Sequence, residues 1–324
     1  MKQIKKTCRM LLAALLLLSV SLTSVEVSAA VKAPSVNAKI TTKNVQNLLK
    51  KYDPDGAYIL QKQIQAGDDI LFWFSGSSRI LDSVSTAVHE ETHAYSFHYA
   101  RNYQEMAYFV GNKKTIYVPY TEVYESKKMA ASIPKKLRTS RYNTYVAKPT
   151  ANLSSNVQGA YGLMNEFMAY RAGMNTSVSM FSYLKPQKAG WDAWKTYINL
   201  CENGRQAYAE FKYYILHYLY YAKKHYPNVY KGIVTNREFC RAYKRLESSY
   251  AKLNKTYTKD LQKLKKIIEK QGDTLEISDE SVMLIHGRNG TGVGRFTTAY
   301  KVLTKELGKK KYKSIHSALV KKGA

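Results

Sequence analysis

Cysteine is scarce in this chain, with three in 324 residues, and so are proline (seven) and tryptophan (three). So few cysteines exclude a disulfide scaffold, and Cys8 falls ahead of the mature region delimited below, leaving Cys201 and Cys240 either to pair or to stay as buried thiols. Acidic residues are also short, 24 against 51 Lys and Arg, which gives a formal net charge of +27. That imbalance favours acidic partners. No helix-turn-helix, zinc-finger or RNA-platform pattern accompanies the charge, so nucleic acid is not expected as a partner and an anionic cell-envelope polymer is. Lysines spread along helices are, however, most often a solvated face. Long hydrophobic runs are missing beyond the first thirty residues: the most apolar later stretch, YYILHYLYYAKKHY, is broken by tyrosine, histidine and lysine, so no transmembrane segment is expected there.

What is present begins with a leader. Lys2, Lys5, Lys6 and Arg9 precede the run LLAALLLLSV, and Ser28, Ala29 and Ala30 follow. This is the pattern of a secretory signal peptide over residues 1–30, which places the mature chain outside the cell, secreted or held at its surface. Removal there takes four of the 51 Lys and Arg and one of the 24 acids, leaving +24. With 45% hydrophobic residues the remainder can bury a real core.

The fold class expected is α+β: a small mixed lobe over residues 31–156, a helical lobe over 157–272, and a C-terminal hairpin, glycine-rich loop and short helices over 273–324. Asn37 to Tyr52 reads as a helix stopped by DPDG. AYIL at Ala57 and DDILFWFSG at Asp69 have strand composition, the latter as an edge for an extended substrate or as a plain core strand. Glu105 to Tyr120 reads as a hairpin turning at Gly111-Asn112, and DTLEISDESVMLIHG as another turning at Ser278-Asp279. Gly287 to Gly294 reads as a mobile loop, because it lacks the Lys-Ser/Thr ending of a phosphate loop. Helical spacing of Ile80, Leu81, Val84 and Val88 makes Ser78 to about Tyr99 a helix, with Ser77 or Ser78 as its cap.

That helix carries STAVHEETHAY, Ser85 to Tyr95. Four residues turn an α-helix through about 400°, so His89 and His93 project within about 40° of each other and about 6 Å apart along the axis. Two imidazoles placed so can share one zinc ion, with Glu90 able to act on water beside it. Chance supplies His-Glu-x-x-His in fewer than about one chain in a hundred of this composition. A catalytic zinc takes three protein ligands. His98, about 140° round the helix from His93, is badly placed for the third. Glu166, in the amphipathic GLMNEFMAY, is the best-placed acid, with Gly162 and Ala169 allowing close approach of backbones, ahead of Glu122, Glu125 and Asp82.

HEETHAY followed by NEFMAY resembles the gluzincin class of zinc metallopeptidases, the thermolysin-like arrangement. The resemblance implies a zincin-like fold, Zn2+ held by His89, His93 and Glu166, Glu90 as general base, and a peptide or protein substrate cleaved by metal-activated water. Many members carry Asp four residues after the glutamate ligand, where this chain has Tyr170. They also stabilise the oxyanion with a Tyr or His, for which Tyr161, Tyr170, His217, His225 and His286 are all eligible here; Tyr170 and His286 are the named catalytic candidates beside Glu90. The alternative from another class is a non-enzymatic basic protein that binds anionic envelope polymers, its zinc site degenerate or structural.

Overall fold

Asp53 ends one helix and begins the next. It follows α1 (Thr42–Tyr52), its carboxylate accepts the Gly56 N–H at 3.0 Å, and Pro54 occupies the first position of α2 (Pro54–Ala66). An Asp cap followed by Pro is a helix start, so AYIL is helical and not a strand: Ala57, Ile59 and Leu60 face the core within α2. The first helix begins at Thr42, five residues later than Asn37. DDILFWFSG is likewise no strand. Asp69 caps a 3-10 turn over Ile70–Phe74, burying Ile70 and Phe74 and leaving Phe72 69% exposed, so no edge is offered to a substrate there.

The computed structural model describes residues 31–324; the leader read at 1–30 lies outside the described residues. Helix α3 (Ile80–His98) follows, capped by Arg79, whose N–H bonds the Asp82 carboxylate at 2.9 Å, in place of Ser77 or Ser78. The hairpin β1 (Glu105–Gly111) and β2 (Lys114–Pro119) turns at Asn112 and Lys113, both at positive φ, one residue beyond the expected turn. Every residue of β1 is buried, against α3 among others. A short π-helical turn covers Asn143–Ala147.

After α4 (Ser154–Val157) comes α5 (Gly159–Leu184), buried round most of its circumference because α3, α6 (Trp191–His225) and α8 (Arg237–Glu269) all pack on it. A short α7 (Pro227–Thr235) links α6 to α8. β3 (Thr274–Ile277) and β4 (Ser281–His286) form the second expected hairpin, but the glycine-rich stretch is a third strand, β5 (Asn289–Gly294), paired along β4. The Met283 side chain of β4 occupies the space over Gly292, where a Cβ would meet it. Helices α9 (Thr297–Leu307) and α10 (Lys310–Lys322) complete the chain. The described residues are thus mixed and mainly helical, with two small antiparallel sheets, and one apolar cluster among them runs from Val45 to Leu319. Cys201 and Cys240 are both buried and unpaired. Among the described residues no helix is long and apolar enough to cross a membrane.

Candidate metal centre

Helices α3 and α5 approach closely at Gly173, which has no side chain. A Cβ added to Gly173 would sit 3.0 Å from the Ser85 carbonyl oxygen and 3.4 Å from the His89 Cβ, so glycine is what lets the two backbones meet. Gly162, expected in that role, instead faces the backbone of Ser154 at the start of α4. The crossing presents Asn165, Glu166 and Tyr170 of α5 to the histidines of α3.

His89 Nε2 and His93 Nε2 lie 3.3 Å apart, and Glu166 Oε2 lies 3.4 Å from His93 Nε2. Two ligand atoms each about 2.0–2.1 Å from a tetrahedral zinc are separated by about 3.3 Å, so both spacings suit a shared ion. The Glu166 side chain is only 7% exposed and its Oε2 has no hydrogen-bond donor among the described residues. A buried carboxylate oxygen without a partner is costly, and a cation at this point would satisfy it. Glu90 is the most exposed member, at 37%, with Oε1 3.9 Å from His89 Nε2; ligand atoms of His89, Glu90 and His93 all fall within 4.8 Å of one another.

The electrostatics divide the two imidazoles. Burial holds His89 well below the usual histidine range, helped by the neighbouring His93 and Arg141, so its ring is neutral. Burial also acts against a charge on His93, but the negative charge of Glu166, together with Asn165 and Glu90, raises it overall. Burial raises the Glu90 carboxyl, Glu166 and Glu91 adding to the effect and His93 opposing it.

Asn165 supplies what Tyr170 does not. Its Oδ1 contacts His93 Nδ1, and its Nδ2 donates to Ser96 Oγ at 2.7 Å, which fixes the amide so that oxygen faces the ring. His93 Nδ1 is then the protonated nitrogen and Nε2 carries the lone pair. Tyr170 packs its ring against His89, centroids 4.3 Å apart, and its hydroxyl lies 3.3 Å from that of Tyr145. The Arg141 guanidinium stacks on Tyr170 at 4.6 Å and pairs with buried Glu210 at 2.6 Å.

Two cavities meet at His89 and Glu90. The smaller one, about 150 Å³, is lined by Ser85, Tyr170, Met174 and Leu200. The wider one, about 450 Å³, is lined by His93, Phe97, Tyr145, Asn152 and Glu166. Tyr145, on the π-helical turn, was invisible in an irregular stretch of a chain with 28 tyrosines. Burial and then the charge of Glu166 raise its hydroxyl above the usual tyrosine value.

The remaining candidates lie elsewhere. His286 is 81% exposed on β4 and bonds Asp273 at 2.5 Å, and it lines neither cavity, so the structure does not bring it to the site. Tyr161 bonds Thr121 and Asn236, His217 bonds Ser132 and Tyr312, His225 stacks on Tyr221, and His98 faces Gln63 and Asp68. Asp82 is committed to Arg79. Comparison with protein-family models, with curated proteins and with solved structures gives no match to this chain.

Proposed function

We propose that this chain is an exported zinc-dependent peptide hydrolase whose α3–α5 pair works as the metal-binding core of a zincin-like fold. One observation carries the reading: a buried, donor-less carboxylate oxygen of Glu166 stands 3.4 Å from an imidazole nitrogen that is itself 3.3 Å from a second one. His89, His93 and Glu166 are the residues that would hold the ion. When bound, zinc supplies Lewis acidity, polarising a scissile carbonyl and acidifying water. Glu90, half open to solvent, accepts the proton from the attacking water at its carboxylate and returns it to the leaving amine. Asn165 keeps the His93 lone pair on Nε2, and Tyr170 with Arg141 fixes the plane of His89. The Tyr145 hydroxyl, in the wider cavity beside Glu166, is the donor best placed to meet a developing oxyanion. A peptide would lie along that wider cavity, with one side chain entering the smaller one.

The test is Glu90→Gln. The variant should bind about one zinc per chain, unfold as the native protein does, and lose at least about a thousandfold in cleavage of a peptide library. Undiminished cleavage would exclude Glu90 as the base. Zinc binding with no cleavage by the native chain would make the site degenerate or structural.

A further inference from the structure

A second feature lies away from the metal centre, along α8. Arg237, Arg241, Lys244, Arg245 and Lys252 line a cleft of about 780 Å³ between this helix, the end of the β1–β2 hairpin and Gly323 and Ala324 after α10, and none of its lining side chains is acidic. At 100° per residue the five fall within about 100° of arc, and they span about 22 Å along the axis. Arg241 pairs with Glu238 at 2.7 Å; the other four make no ion pair among the described residues. Behind the cleft, Arg171 donates Nε to Ser249 at 3.0 Å, while its Nη1 has no acceptor and stands 3.9 Å from Asp55. The nearest acid is already engaged, since Asp55 also accepts the Asn112 and Lys113 N–H groups at 3.0 and 3.2 Å.

A row of cations this long cannot converge on one small anion. It matches an extended chain bearing a charge on every repeat, and the guanidinium forks of Arg237 and Arg245 favour paired phosphate oxygens. We infer that the α8 cleft binds a linear phosphodiester polymer, independently of any chemistry at the metal centre.

Fluorescence anisotropy on the full chain tests this with labelled poly(glycerol phosphate), labelled single-stranded DNA and labelled polyglutamate, each at several salt concentrations. The double reversal Arg245→Glu/Lys252→Glu, at exposed positions, should weaken binding of a phosphodiester probe at least about tenfold at moderate salt and lower the salt slope by about two. Lys135→Glu/Lys136→Glu, an equal charge change on an exposed turn elsewhere, should alter affinity less than about threefold. Binding of one phosphodiester probe and not the other identifies the backbone recognised; binding of both supports phosphodiester recognition as such. The inference is overturned if neither binds, if polyglutamate binds as tightly, or if the two double variants lose equally.

Discussion

Asn165 and His93 are coupled through the ring nitrogen that points away from His89: Asn165 Oδ1 meets His93 Nδ1, while Ser96 holds the other side of the amide at 2.7 Å. Asn165→Leu keeps the volume and removes the acceptor. Zinc affinity, measured by competition with a chromogenic chelator, should fall about 10–100-fold. Unchanged affinity would mean the amide does not orient the ring.

Gly173 and Gly162 set different contacts. Alanine at Gly173 would press on the Ser85 carbonyl at 3.0 Å, separating α3 from α5 at a cost of about 1–3 kcal/mol and weakening zinc binding. At Gly162 the added carbon would lie 1.9 Å from the Ser154 oxygen, an overlap relieved only by moving α4. Urea unfolding should therefore rank Gly162→Ala below Gly173→Ala in stability.

Arg141 and Glu210 form an ion pair in which the carboxylate is fully buried. Removing the cation alone leaves a buried charge, so Arg141→Ala should destabilise by about 3–5 kcal/mol, and Arg141→Met/Glu210→Leu by much less. A double-mutant cycle on chemical unfolding measures the difference.

His217 gives an acid sensitivity unrelated to catalysis. Burial, reinforced by Lys311, lowers it to about 4, while in the unfolded chain it titrates near 6.5. Above 6.5 both states are neutral and nothing is lost. As pH falls from 6.5 to 4 the unfolded state takes up a proton that the native state does not, removing about 3 kcal/mol of stability. His217→Gln should flatten that interval in a series of unfolding curves.

Much of this was readable in advance where one local signal dominated. The helix bearing His89 and His93, the helix of Glu166 and both hairpins follow from periodicity and turn residues. AYIL and DDILFWFSG misled because strand-like composition was outweighed by caps at Asp53 and Asp69, whose side chains start helical turns. The strand Asn289–Gly294 was hidden because Gly290 and Gly292 lie against the Met283 side chain of the neighbouring strand, a tertiary effect. At the site, Glu166 was legible from its helix, whereas Tyr145 and Arg141 reach it from irregular segments whose course no periodicity describes.

The most direct measurement is a crystal structure of the zinc-loaded protein with anomalous data collected at the zinc edge. The expected result is a single strong peak bonded to His89 Nε2, His93 Nε2 and a Glu166 oxygen, with Glu90 nearby and unbonded. A peak held by Glu90 in place of Glu166, or no peak at α3 with saturating zinc, would contradict the proposed centre.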